Sequence, residues 1–198
     1  MAEEEQLRTA LVVDLDAGFA DLVREHRRLI HSVALRLARR TVDAEDLAAD
    51  TFLRAYRALL GYDAARIDGL RLRPWLLTIL RNTARNAARD ASRRPEPPPE
   101  FEPAAQPGSG PSVEELVIRG HTQRAWNELL AQLPERQRIA VLLRHVEGLP
   151  TTEVAEVLGC PEGTAKSHIS RGLATLRRLL SAGAPLTELI GQEQVPWG

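Results

Sequence analysis

From Pro95 to Pro111 the chain reads PEPPPEFEPAAQPGSGP, with seven prolines, two glycines, three glutamates and no basic residue. Proline removes a backbone donor and fixes φ, and so few apolar side chains cannot offset the entropy of ordering, so this stretch builds no packed element. It is predicted to be an extended linker that divides the 198 residues into two small units, each able to bury only a modest core. The expected organisation is a first domain at 1–94, the linker at 95–111, a second domain at 112–182 and a tail at 183–198.

Leu149 to Leu180 reads LPTTEVAEVLGCPEGTAKSHISRGLATLRRLL and carries the marks of a helix-turn-helix. A first helix capped by Thr151 or Thr152 runs through Val154, Ala155 and Leu158, Gly159 ends it, and Pro161 opens the next in its first turn. In that second helix Ile169, Leu173, Leu176 and Leu180 share one face, while Thr164, Ser167, Ser170, Arg171 and Ala174 point away. Small residues in the middle of the polar face, with Lys166 and His168 at its edges, let such a helix approach a DNA major groove. Gly172 inside it costs about 1 kcal/mol relative to Ala.

The first unit is helical by its periodicity. Phe19, Leu22, His26, Leu29, Ile30, Val33 and Leu37 form an apolar stripe through 17–40, and Ala44, Leu47, Ala48, Phe52, Ala55, Tyr56 and Leu59 form another through 43–59. Asp43 is expected to cap the second of these, with Glu45, Asp46 and Asp50 placing negative charge near its start. From Arg73 to Arg94, RPWLLTILRNTARNAARDASRR opens on Pro74, buries Trp75, Leu76, Ile79 and Leu80, and then turns basic and polar. Arg81, Arg85, Arg89, Arg93 and Arg94, spaced mostly by four, suit a phosphate backbone or an ordinary solvated face, and Asn82 and Asn86 bring amides that contact bases. In the second unit Val113, Leu116, Val117, Trp126, Leu129 and Leu130 mark a helix before Pro134, and Ile139 to Val146 another. The fold class is therefore all-α, in two bundles, with Leu186, Leu189, Ile190 and Trp197 enough for a short helix in the tail.

Charge is segregated. Residues 1–94 hold 17 arginines against 14 acids, residues 95–115 hold five acids and no base, and residues 116–198 hold nine bases against eight acids. Neither domain is basic enough to bind DNA strongly alone, which suits a protein that acts on DNA through a larger partner. Arginine supplies 25 of the 26 basic residues, a skew expected of a GC-rich genome, so it counts for little as a sign of nucleic acid. The single cysteine, Cys160, excludes an internal disulfide, and His26, His31, His121, His145 and His168 show no metal-ligand spacing, so no metal and no cofactor are expected. There is no Gly-rich phosphate loop and no nucleophile with a base, so no catalytic residue and no enzyme activity are expected. No apolar run approaches the length of a membrane span, and the acidic Glu3–Glu5 start does not resemble a signal peptide; a cytoplasmic protein is expected.

Four segments in this order, AEDLAADTFLRA at 44–55, PWLLTILRNTARN at 74–86, LPERQRIAVLLRHVEGLPTTEVAEVLG at 133–159 and CPEGTAKSHISRGLATLR at 160–177, resemble a bacterial sigma factor of the small, two-domain extracytoplasmic-function class. The resemblance covers about three quarters of the chain. It implies a factor that binds core RNA polymerase, recognises promoter DNA at the minus-35 and minus-10 elements and helps open the duplex. Asp46, Asp50, Phe52 and Arg54 then correspond to the surface that docks on the polymerase clamp helices, and the second domain to the part that meets the flap. Tyr62, Asn82, Arg85, Asn86 and Arg89, with Trp75 and the loop from Gly61 to Arg73, correspond to the minus-10 region, where an extruded base costs a few kcal/mol that stacking and hydrogen bonds return. Tyr62 and Trp75 are the stacking candidates, Trp75 being the more readily read as core.

Lys166, Ser167, His168 and Arg171 correspond to the minus-35 reader, with Arg177 and Arg178 on phosphates. His168 stands where Arg is usual, and a neutral imidazole cannot make the bidentate guanine contact. Ala49 replaces a common Gln, and Asn86 a frequent acid. The resemblance also implies an anti-sigma factor that clamps the two domains together, and a linker that is either a passive spacer or lies in the basic channel of the polymerase. The rival reading is a stand-alone helix-turn-helix transcription regulator, which explains 134–180 but leaves the 74–86 helix and the linker without purpose.

Overall fold

The computed structural model describes residues 2–38, 41–91 and 125–181. The linker, Arg93, Arg94, Val113, Leu116, Val117, His121 and the tail lie outside them. Five helices come first: α1 (Ala2–Val13), α2 (Leu15–Leu37), α3 (Thr41–Leu59), α4 (Ala64–Asp68) and α5 (Leu72–Ala91). Residues 125–131 form α6, and α7 (Glu135–Val141) runs straight into a π-helical turn (Leu142–Val146) before α8 (Thr151–Leu158) and α9 (Glu162–Ser181). Among the described residues there is no strand, as the periodicity requires.

The first domain is built on α2. Asp14 caps it, its carboxylate accepting from the backbone N–H groups of Asp16 at 3.0 Å and Ala17 at 3.1 Å. Leu22, Ile30 and Val33 of α2 are buried with Ala44, Leu47, Ala55 and Leu59 of α3 and Leu76, Leu77 and Leu80 of α5. Sequence periodicity placed the α2 stripe correctly but missed α1 altogether. Half of its residues are polar and its apolar ones form no clear stripe, yet it buries Leu11 and crosses α2 closely enough that a Cβ on Gly18 would meet the Leu11 backbone nitrogen at 2.5 Å.

Two caps differ from expectation. α3 begins at Thr41, so Asp43 lies inside its first turn, where its charge meets the helix dipole, and not at the position before the helix. α8 is preceded by Pro150 in extended backbone with no side-chain cap, so Thr151 and Thr152 are its first two residues. Gly159 does end α8, in the left-handed conformation at φ 61°, which glycine adopts without a Cβ penalty. Pro161 stands just before α9, and its carbonyl accepts from Thr164 at 2.9 Å.

In the second domain Ala165, Ile169 and Leu176 of α9 are buried against α7 and α8. Gly172 has a packing reason: a Cβ there would sit 2.6 Å from Val141 Cγ2 and 3.2 Å from the Gln137 carbonyl, so α9 lies directly on α7. The two domains are in contact. One apolar cluster runs from Leu22 and Leu80 in the first to Leu143, Val154 and Leu158 in the second, and α5 packs on α8.

Candidate nucleic-acid interface

Three surfaces follow from these elements. On α3, Asp46 and Arg54 are exposed, and Arg54 Nε donates to Asp50 at 2.8 Å, a surface pair worth little in itself. Leu53, between them, is an exposed large apolar side chain, which apolar-periodicity reasoning passed over because it lies off the buried stripe. Phe52 is partly buried, its ring edge-on to Phe19 with centroids 6.5 Å apart, so it supports the face from beneath. Tyr56 donates to Asp16 at 2.6 Å, and that carboxylate raises the phenol pKa.

The head of α5 forms the second surface. Glu4 of α1 accepts from the Leu72 backbone N–H at 2.6 Å, satisfying one of the free donors of the first turn, and Arg8 donates to the Leu70 carbonyl at 3.3 Å. Tyr62 and Trp75 meet at 6.3 Å between centroids with a 55° tilt, and the Arg66 guanidinium lies 3.8 Å over the Tyr62 ring. Trp75 is only partly buried, whereas Leu77, absent from the sequence reading, is fully enclosed. The tyrosine and tryptophan thus stand together at the loop that the resemblance assigned to the minus-10 element. Asn82 is half-buried, and Arg85, Asn86 and Arg89 are exposed farther along the helix.

The expected arginine stripe is broken at its first member. Arg81 turns away from the surface and donates to the Val157 carbonyl at the end of α8 and to Asn82 Oδ1 at 3.2 Å. Burial, with help from nearby Arg85, lowers its pKa.

The third surface is the outer face of α9. Lys166, Ser167 and Arg171 are exposed, as the helical spacing requires. Lys166 pairs with Glu162 at 2.9 Å, and the Ser167 hydroxyl donates back to the Gly163 carbonyl at 2.9 Å, so both side chains have local partners that a ligand must displace. His168 is half-buried, and its Nδ1 has no hydrogen-bond partner. Desolvation first, then Arg136 and Arg171, depress its pKa, so the ring is neutral near pH 7. Cys160 is a half-buried free thiol in the turn before α9. Among the described residues no group of histidine, cysteine and carboxylate side chains is arranged to hold a metal, and no helix is long and apolar enough to cross a membrane.

The arrangement matches known proteins at both ends. Residues 22–94 match the family model described as Sigma-70 region 2, and residues 123–176 match Sigma-70, region 4. The sigma factor CarQ of Myxococcus xanthus is 34% identical over 163 residues, covering 82% of this chain and 89% of that protein. The RNA polymerase sigma-H factor of Pseudomonas aeruginosa is 31% identical over 170 residues, covering 82% and 86%. Sigma factor SigE of Mycolicibacterium smegmatis is 34% identical over 164 residues; the match takes in 81% of this chain and 61% of SigE, which is longer.

Among solved structures, the sigma factor RpoE of Bartonella quintana, crystallised with the anti-sigma factor NepR, superposes with a TM-score of 0.58 at 26% identity, over 82% of this chain and 96% of that one. CnrH, solved with the cytosolic domain of CnrY, shares the fold at TM-score 0.67 and 23% identity, over 91% and 98%. With a region 2 domain, a region 4 helix-turn-helix and relatives that match along both, SigE and a SigM among those named as extracytoplasmic-function factors, this chain belongs to the extracytoplasmic-function class of sigma-70 factors.

Proposed function

We propose that this sigma factor divides its work among the three surfaces just described. The acidic and apolar face of α3, with Asp46, Asp50, Leu53 and Arg54 around a support of Phe52, docks on basic residues of the core RNA polymerase clamp helices. The head and middle of α5, with Tyr62, Asn82, Arg85, Asn86 and Arg89, takes the minus-10 element, and the Tyr62–Trp75 pair offers the stacking surface for an unpaired base. The outer face of α9, with Lys166, Ser167, His168 and Arg171, reads the minus-35 element in the major groove, while the same domain faces the polymerase flap. Arg177 and Arg178, exposed at the end of α9, hold phosphates.

The domains are region 2 at 1–94 and region 4 at 112–182, joined by 95–111. The protein acts in the cytoplasm as a recognition subunit with no chemistry of its own, and the likeness to chains crystallised with anti-sigma partners gives it one as well. The observation that carries this reading is the presence, in one chain, of a polar recognition helix and a second, separate helix with an exposed Arg and Asn face. A lone helix-turn-helix regulator has no use for the second.

The test is size-exclusion co-elution of the full chain with sigma-free core RNA polymerase, without DNA, followed by transcription from genomic fragments. Co-elution is expected, and replacing Asp46 and Asp50 together by Arg should abolish it. Failure of the native chain to co-elute, with specific DNA binding retained, would hand the function to the regulator.

A further inference from the structure

The path of the chain into α5 is set from α1. The stacking pair of the minus-10 surface stands on opposite sides of a corner: Tyr62 precedes α4, and Trp75 lies in the first turn of α5. How the two rings meet therefore depends on how residues 69–72, which join these helices, are held. α4 is closed at its own ends, Asp63 accepting from the Arg66 N–H at 2.8 Å and the Leu70 N–H reaching the Ile67 carbonyl at 3.0 Å. The corner is gripped at two backbone groups by two side chains of α1. Arg8 Nη1 donates to the Leu70 carbonyl at 3.3 Å, and Glu4 Oε1 accepts from the Leu72 N–H at 2.6 Å. A base takes the acceptor and an acid takes the donor on either side of Arg71, which fixes both the place and the direction of the chain as it enters α5. Arg71 and Arg73 also reach Glu153 of α8, but with their side chains, which leaves the backbone of the corner to α1.

Glu4 and Arg8 are one helical turn apart, and Leu11 continues the same face of α1. Leu11 is buried, and where α1 crosses α2 a Cβ on Gly18 would sit 2.6 Å from the Ala10 carbonyl carbon, so backbone lies on backbone. The junction is short and bonded: the Asp14 N–H donates to the Ala10 carbonyl and the Gly18 N–H to the Asp14 carbonyl, both at 2.9 Å. α1 is thus a stiff arm, with its apolar end on α2 and its polar end on the corner. Arg8 makes a poor stabilising contact for a charge so enclosed. Its side chain is 20% exposed, its Nε finds no hydrogen-bond acceptor among the described residues, and Asp68, at 3.9 Å, is itself 76% exposed. Withdrawing a guanidinium from water for one long carbonyl bond and a loose surface pair adds little to stability, which points to placement of the Leu70 carbonyl as its use.

We propose that Glu4 and Arg8 are positioning residues for the minus-10 surface: together they hold the corner between α4 and α5 so that Tyr62 and Trp75 stand as a ready-made stacking site for the unpaired base. A site ordered beforehand spares the bound strand the entropy of ordering two aromatic side chains and their loop. The two residues act through the backbone, without touching DNA themselves. The inference rests on the minus-10 reading of α5.

The test uses holoenzyme reconstituted from core RNA polymerase and the full chain. The probe is a fluorescein-labelled fork DNA with its minus-10 non-template strand unpaired, taken from a promoter found by transcription of genomic fragments. Affinity is measured for the intact fork and for forks with one abasic site at each minus-10 position in turn. In the native chain one position should stand out, where loss of the base weakens binding about tenfold, as expected for a base stacked on an aromatic ring. Tyr62→Ala should erase that difference. Glu4→Ala with Arg8→Ala should co-elute with polymerase as the native chain does, bind the intact fork about fivefold more weakly, and bring the intact-to-abasic ratio close to one. Glu4→Gln, whose amide oxygen still accepts from Leu72, should keep most of the ratio. If the double variant folds poorly, Arg8→Met keeps the enclosed stem, removes only the guanidinium, and should give part of the same loss.

A ratio that stays native in the double variant and in Arg8→Met overturns the proposal, even if affinity falls equally on intact and abasic forks, as a merely destabilised domain would make it. So does a loss in Glu4→Gln as large as in Glu4→Ala, which would take the bond to Leu72 out of the account. The minus-10 reading fails separately, and the proposal with it, if no abasic position matters to the native chain or if Tyr62→Ala leaves the ratio unchanged.

Discussion

The helices α5 and α9 are each 20 residues long, each carry arginines on a polar face, and each end a domain core, yet they are held in different ways. α9 is fixed from within its own domain, by Gly172 lying on α7 and by Ile169 and Leu176 beneath, and its outer face is exposed. α5 also sits in its own core, through Leu76, Leu77 and Leu80, and is capped by Glu4 of α1, but it is held from the other domain as well: Glu153 grips Arg73, and Arg81 crosses to α8. A recognition helix anchored only by its own core is available whatever the rest of the molecule does. A helix whose basic head is tied to a distant element is available on condition.

The sharpest way to break this contrast is to loosen α9 in its own domain. Gly172→Leu forces a side chain into Val141 and the Gln137 carbonyl and should cost about 3 kcal/mol, read as a lowered urea midpoint for the second domain with the first unchanged. Next in size, Arg171→Ala should cost about 1–3 kcal/mol in recognition of a minus-35 duplex while co-elution with polymerase is kept. If that variant lost both together, α9 would not be an independent reader. Glu4→Ala should cost about 1.5 kcal/mol, because it strands the Leu72 N–H and removes a charge-assisted bond, and should be felt at α5 and not at α9 in amide exchange.

The smallest effect is expected from pH. His26, His145 and His168 all have pKa values below the usual 6.5, each chiefly through burial. The unfolded chain therefore binds more protons than the folded one as pH falls through about 6.5, so stability is complete above that value and declines below it. A melting temperature that rose on acidification from pH 7.5 to 5.5 would contradict that sign.

Much of this architecture is legible in the sequence, and the rest is not for identifiable reasons. The stripes of α2, α3 and α9 are local patterns of 3.6-residue period, and Gly159 is a local stop, so both can be read one helix at a time. α1 escaped because a helix that buries little beyond Leu11 has almost no stripe, and its role, the Glu4 bond to Leu72, joins residues 68 apart. Asp43 and Thr151 have the right side chains for caps, but α3 starts two residues before the aspartate and α8 starts directly after Pro150. Gly172 reads as a helix weakness until α7 is seen against it. Arg81 reads as one of a stripe that suits a phosphate backbone or a solvated face, and nothing local links Arg73 to Glu153, since nothing in spacing pairs residues 80 apart. The candidate site residues sit on three different helices, α3, α5 and α9, and how far each is exposed or tied to a neighbour is not given by a list of motifs in chain order.

The bond between Arg73 and Glu153 joins two parts of one molecule, and that has a consequence for dose. Because both residues belong to one chain, their contact is unimolecular, and the fraction of copies that hold it does not depend on how many molecules the cell contains. Dilution does not break it, and overproduction does not saturate it. The two domains meet in the same proportion of copies at ten molecules as at ten thousand.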